Sequence, residues 1–345
     1  RRFREVPAHE WRDGIQISHP RFLTGPGYTT HNFDAKAYYW GVSKTIDRLW
    51  QEAPFDLIHA HFIYPDGVVG ARLAKRYGVP LVITEHAFWH PWLDQYPAVR
   101  KQAVAAAQSS AFHVAVSQSV RRSISQFTGE NERLRVIPVG VDMELFTPLP
   151  DGQQSDPSSI LYVGRIHETK GVDILLHAIR LLVDRNPAVR LSLIGGSFYL
   201  QNNNREKRLK CLADELGLAD HVRFLGIRSP NEVAEAMRRS TLLVLPSRRE
   251  TLGAVLIEAL ACGIPVVATR CGGPEDVVTD TVGRLVETDD PSGLAEAMET
   301  VLENRERYDP QVLRNYAAEH FSWQKVAAQT IELYRLALEK IEVNG

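Results

Sequence analysis

Residues 247–265 read SRRETLGAVLIEALACGIP. The apolar run before them, Leu242-Leu243-Val244-Leu245-Pro246, has the length and residue types of a buried strand, and residues 265–269 (PVVAT) read as another. Between the two lies a short loop holding Glu250, then a helical stretch that opens at Thr251, with Leu252 and Gly253 in its first turn and Glu258 two turns along. Strand, helix and strand in this order imply a parallel pair with a helical crossover. The free amides at such a helix start, backed by the macrodipole, suit an anion, and Gly253 lets a phosphate approach the backbone. Glu250 then sits beside the anion and Glu258 one helical step behind it. The segment alone also allows a blander account, in which Glu250 is an acidic residue favoured by the dipole and Glu258 a solvated helix residue.

A second stretch, residues 161–171 (LYVGRIHETKG), leaves its strand at Gly164, carries Arg165 at the strand's carboxyl end and brings Lys170 to the start of the next helix. Two fixed cations there suit a diphosphate, since a charge-assisted contact contributes roughly 1.5–3 kcal/mol. A bound metal then becomes unnecessary, and the chain has no D-x-D carboxylate pair. Solvated loop cations are the other reading of this stretch taken alone.

The same alternation of β-rich runs and amphipathic helices extends in both directions. Strands are expected at residues 56–61, 80–84, 113–116 and 135–138, then at 160–163, 190–194, 221–225, 242–246 and 265–269, with helices between them and two more near 291–304 and 323–341. Residues 147–159 (TPLPDGQQSDPSS) are a linker by composition. Two doubly wound parallel α/β domains follow, which suits 345 residues, since single cores stop growing near roughly 250–300. With 44% hydrophobic and 24% charged residues the chain is an ordinary globular one. A net charge of −2 gives no reason to expect nucleic acid. Residues 1–150 carry 17 Lys and Arg against 14 Asp and Glu, a mild excess that permits a loose peripheral contact with an acidic membrane face; a solvated surface is the plainer reading. Three cysteines without C-x-x-C spacing suggest neither disulfides nor a zinc knuckle. No apolar run reaches membrane-spanning length and residues 1–27 have no signal-peptide core, so a cytoplasmic site is expected.

At this point the residues resemble the retaining glycosyltransferases of the GT-B fold, specifically the large bacterial group called family 4. The resemblance runs from about Asp56 to the C-terminus. It rests on E-x7-E from Glu250 to Glu258, on GRIHETKG, on residues 135–148 (RVIPVGVDMELFTP), and on DLIHAHF followed by VITEH. The run beginning IHAHFIYPDG looks most like members that build surface polysaccharides such as teichuronic acid. The resemblance implies an acceptor-side domain over residues 1–148, a linker over 149–157, a donor-nucleotide domain over 158–322, and a final helix over 323–345 crossing back to the first domain.

Carried over position by position, Arg165 and Lys170 hold the donor diphosphate. Glu250 contacts the transferred sugar, the amides of Thr251, Leu252 and Gly253 face sugar and phosphate, and Glu258 binds the ribose. Ile227, after Phe224-Leu225-Gly226, reads the base edge, and Gly196 lies near the phosphates. His86, ending VITEH, matches a first-domain histidine close to the anomeric carbon, with a buried structural histidine as its other reading. The implied reaction is metal-independent and needs no cofactor: a sugar leaves a nucleotide-diphosphate donor, UDP-linked first and GDP-mannose next, for a glycan or lipid-linked acceptor.

Members of the group open with a strand and a glycine-rich loop before anything like residues 13–20 (DGIQISHP), whereas here that run comes at once. The first domain is therefore expected to lack its usual N-terminal strand, which bears on catalytic competence more than on donor binding. His59 and His61 carry a metal-ligand spacing, so a metal-dependent hydrolase is an alternative. A sugar-nucleotide epimerase of the same architecture is another; it needs first-domain carboxylates, and Glu85 and Asp94 are the candidates near His86. Trp89, His90 and Trp92 form either an acceptor wall or a core cluster.

Overall fold

The computed structural model describes residues 5–23, 31–89, 92–150, 152, 155–196 and 204–342. The chain divides into two compact units, one of residues 1–116, 120–136 and 330–345, the other of 137–329 with 117–119.

In the first unit a hairpin, β1 (His9–Arg12) and β2 (Ile15–Ser18), turns on Asp13 and Gly14 with φ of 49° and 81°, the positive values that a two-residue Asp-Gly loop supplies. Then come α1 (His31–Glu52), β3 (Ile58–His61), α2 (Val68–Tyr77), β4 (Leu81–Glu85), α3 (Trp92–Gln95), α4 (Pro97–Ser109), β5 (Phe112–Ala115), α5 (Gln118–Thr128) and β6 (Leu134–Val136). The strands β3, β4, β5 and β6 pair in that order, all parallel. Both β4 and β5 are buried along their whole length, as a parallel strand covered on two faces should be. Among the described residues β3 is the first strand of this sheet along the chain; the hairpin forms a separate one.

The second unit continues with β7 (Ser159–Val163), α6 (Val172–Arg185), β8 (Arg190–Ile194), α7 (Asn204–Glu215), β9 (Val222–Gly226), α8 (Pro230–Arg239), β10 (Leu242–Leu245), α9 (Ala254–Ala261), β11 (Val266–Thr269) and β12 (Gly283–Val286). It closes with α10 (Pro291–Glu303), α11 (Pro310–Phe321) and the start of α12 (Trp323–Glu342), whose residues from Thr330 cluster with the first unit. All strand pairs are parallel, in the order β12-β11-β10-β7-β8-β9. The core is aliphatic: Ile160, Leu161, Leu191, Leu242, Leu243, Val244, Val266 and Val267 are fully buried. Both units are thus Rossmann-like parallel α/β layers. No described helix is long and apolar enough to cross a membrane.

Strand order fixes where a ligand belongs. In the second unit β7 lies between β8 and β10, so successive crossovers leave in opposite directions from that pair, and the crevice opens beyond the carboxyl ends of β7 and β10. Those two ends carry residues 164–171 and 246–253.

Candidate active site

The loop after β7 is pinned from beneath. The Gly164 amide donates to the Ile194 carbonyl at 3.0 Å, the Ile166 amide to the Gly196 carbonyl at 3.1 Å, and the Tyr162 hydroxyl to the Arg165 carbonyl at 2.9 Å. Arg165 is left exposed at the strand end. A helical turn follows over Glu168–Lys170, its start capped by His167, which accepts from the Thr169 amide. The Lys170 ammonium reaches the Glu250 carboxylate in the loop after β10, and both side chains are only 13% exposed. Two residues 80 apart in sequence thus share one ion pair at the switch point.

The segment 250–253 departs from expectation in one respect: α9 begins at Ala254 and not at Thr251. Gly253 has φ 87°, a left-handed conformation that cannot continue a right-handed helix, so Thr251, Leu252 and Gly253 form a loop ahead of it. That loop is held in place. The Glu250 carbonyl accepts from the Gly273 amide at 2.8 Å, and a Glu250 carboxylate oxygen accepts from the Thr251 amide at 3.2 Å. Among the described residues the amides of Leu252 and Gly253 have no partner, which leaves them available to an anion. On α9 the Glu258 carboxylate likewise has no hydrogen-bond partner among the described residues, and burial pushes its pKa up to about 7. A half-buried carboxylate with open acceptor sites is suited to vicinal hydroxyls. Gly196 lies against Ile227: a Cβ on Gly196 would stand 3.1 Å from Ile227 Cγ1, while Ile227 itself is 66% exposed. Arg165, Lys170, Gly196, Ile227, Glu250, Thr251, Leu252, Gly253 and Glu258 all fall on this one unit.

Arg248 had no role on sequence grounds, yet its guanidinium is bidentate to Asp173 and also bonds Asp289. Its partners are 75 and 41 residues away, so no local pattern announces them.

His86 belongs to the first unit. Its Nε2 is 2.9 Å from His61 Nδ1, and the His59 ring stacks on His61 with centroids 4.5 Å apart. Burial lowers the pKa of all three, His59 to about 4, where the neighbouring imidazoles add to the effect. The His86 loop hangs on Glu85, a 1% exposed carboxylate at the end of β4 that accepts from the amides of Ile63, His86 and Ala87 and from the Trp89 indole, each at 2.9 Å. Burial pushes the Glu85 pKa up while these four donors pull it back. Beside this cluster Phe62 has φ 68° and is 45% exposed, with its ring 5.2 Å from that of His86. A bulky residue held at positive φ is strained, a state that concentrates at functional positions.

One open reading closes here. Trp89 is 2% exposed with its indole spent on Glu85, so it is core and not an acceptor wall; His90 and the Trp92 side chain lie outside the described residues. Both ring nitrogens of His59 are hydrogen-bonded, Nδ1 with the Tyr334 hydroxyl and Nε2 with the Thr84 hydroxyl at 2.8 Å. Among the described residues no group of three His, Cys, Asp or Glu side chains is arranged to hold a metal ion.

The profile of the glycosyl transferases group 1 family matches residues 150–320 and that of glycosyltransferase family 4 matches residues 4–145. A D-inositol 3-phosphate glycosyltransferase of Corynebacterium jeikeium (strain K411) is 34% identical over 314 residues, covering 81% of this chain and 72% of that protein. Another, from Thermobispora bispora, is 30% identical over 364 residues, covering 97% and 83%. These names overturn the finer resemblance to teichuronic-acid enzymes. Among solved structures, sucrose-phosphate synthase from Thermosynechococcus elongatus shares the fold with a TM-score of 0.81 at 23% identity, over 96% of this chain and 86% of that one. Anabaena HepE, solved with UDP-glucose, gives a TM-score of 0.71 at 26% identity over 84% and 80%. The chain therefore belongs to the glycosyl transferases group 1 family, with the two Rossmann-like domains of its GT-B fold.

Proposed function

We propose that the chain transfers a sugar from a nucleoside-diphosphate donor, UDP-linked in first place, to an acceptor hydroxyl with retention at the anomeric carbon. The observation that carries this is the meeting of Lys170 and Glu250 at the switch point, with Arg165 on the same loop as Lys170 and the amides of Leu252 and Gly253, unpartnered among the described residues, on the same loop as Glu250. In this reading the cations and amides neutralise a diphosphate leaving group, and the Glu250 carboxylate holds the attached sugar. Charge develops on the leaving phosphate as the anomeric C–O bond breaks, so stabilising it there supplies most of the rate. The acceptor oxygen then bonds the same face of that carbon, and its proton passes to the departing phosphate. With that neutralisation built from side chains and amides, donor binding needs no divalent metal.

The acceptor is a glycan or lipid-linked hydroxyl, and the relatives named for D-inositol 3-phosphate add a phosphorylated cyclitol as the first alternative. HepE, whose structure holds UDP-glucose, supports the UDP preference. An epimerase is disfavoured because Glu85 is consumed by four donors and Asp94 lies 3.5 Å from Arg100. The test is a thermal-shift screen of UDP-, GDP- and ADP-sugars in EDTA, followed by acceptor assays with NMR of the product's anomeric proton. A UDP-sugar at 100 times its Kd should add about 2.7 kcal/mol of stability. No shift with any nucleotide sugar, or a shift only when magnesium is restored, counts against the proposal.

A further inference from the structure

Arg248, three residues beyond β10, is held by polar contacts to three segments of the second unit. Its Nη1 and Nη2 meet the two Asp173 carboxylate oxygens at 3.0 and 2.7 Å, and its Nε meets Asp289 at 2.5 Å. Nη1 also donates to the Glu168 carbonyl at 2.9 Å, and the Arg248 amide to the Thr169 carbonyl at 2.8 Å. Asp173 sits in the first turn of α6, and Asp289, at φ 58°, follows β12. The side chain is 26% exposed, so these contacts are partly withdrawn from solvent screening.

The contacts bracket the donor site. Glu168, Thr169 and Asp173 lie on either side of Lys170 in sequence, and Arg248 is two residues before Glu250. One guanidinium therefore ties the turn bearing Lys170 to the loop bearing Glu250. We infer that Arg248 is a positioning residue of the donor site, setting the spacing between Lys170 and the Glu250 loop through its fork on Asp173. This rests on the donor-site reading above. A planar fork can fix two loops at a set distance, which a lysine at the same position could not.

A merely structural ion pair predicts uniform loss of stability; positioning predicts coupling to Lys170. The experiment is a double-mutant cycle read by calorimetric UDP affinity, using the full chain, Arg248→Met, Lys170→Met and the double variant. Arg248→Met should weaken UDP binding by about tenfold in the wild-type background and by less than about twofold beside Lys170→Met. Uridine affinity should not change. Equal weakening in both backgrounds, or unchanged UDP affinity in folded Arg248→Met, overturns the inference while leaving the donor site intact. Absence of UDP binding in the wild-type chain overturns the donor-site reading and the inference with it. If Arg248→Met does not fold, Asp173→Asn removes the same fork while Arg248 stays tied to Asp289. That variant should weaken UDP about threefold, again only when Lys170 is present, and unchanged affinity overturns the inference.

Discussion

A Cβ built on Gly171 would lie 1.9 Å from the carbonyl oxygen of Pro246, so the turn after Lys170 and the end of β10 touch backbone to backbone. Gly171 also has φ 61°, where any other residue carries strain. Gly171→Ala should therefore destabilise the second unit by about 1–3 kcal/mol and move Lys170 away from Glu250, weakening UDP binding as well. Thermal unfolding with and without UDP checks both effects. Unchanged midpoints would mean that the two loops can separate without consequence.

Glu250→Gln separates sugar from nucleotide. The substitution takes the negative charge from beside Lys170 and leaves the cation free for phosphate, so UDP affinity should hold or rise. Sugar transfer and donor hydrolysis should fall by a factor on the order of 10²–10³. Loss of UDP affinity would place Glu250 on the nucleotide and contradict the assignment.

Glu258 links stability to ligand. Its pKa is about 7 in the folded chain against an ordinary value of 4.5, so the folded state holds a proton that the unfolded state has released. That favours folding below about pH 4.5 and is lost as pH rises through 7. Glu258→Gln should thus raise the unfolding midpoint at pH 8, leave it unchanged at pH 4.5, and weaken uridine and UDP equally. A loss confined to UDP would move Glu258 from the ribose to the phosphates.

His113 tests the first unit. Both its ring nitrogens are buried without a hydrogen-bond partner among the described residues, and burial lowers its pKa to about 3. The unfolded chain takes up a proton near the ordinary 6.5 while the folded chain does not, so stability declines as pH falls from about 6.5 towards 3. His113→Leu, close in volume, should raise the midpoint, and by more at pH 5 than at pH 8. Removing an orphaned polar group is worth about 1–3 kcal/mol. An unchanged pH dependence would mean that the imidazole is protonated in the fold.

Strands β7 to β11 of the second unit are legible because parallel strands buried on both faces leave aliphatic runs such as Leu242–Leu245, bounded by Pro, Gly and Ser. Elements whose apolar positions are scattered were not: α1, α11 and the four-residue β12 escaped. The β1–β2 hairpin does carry a local signal, the Asp13-Gly14 pair. Residues of the site that stand on their own loops, Lys170 and Glu250, could be picked by type and place. Contacts with distant partners could not: Arg248 bonds Asp173 and Asp289, and His59 bonds Tyr334, 275 positions away. The start of α9 was misread because helical composition runs unbroken through Leu252 and Gly253, and only the left-handed φ of Gly253 ends the loop there.

The most direct test of the central claim, that Lys170 and its surroundings receive a diphosphate, is calorimetric titration of the wild-type chain and Lys170→Met with UDP and with uridine, in EDTA. The account predicts that wild type binds UDP well above uridine, and that Lys170→Met loses roughly ten- to a hundredfold in UDP affinity with uridine unchanged. Equal losses for UDP and uridine would show that Lys170 supports the fold and not the anion, and would contradict the account.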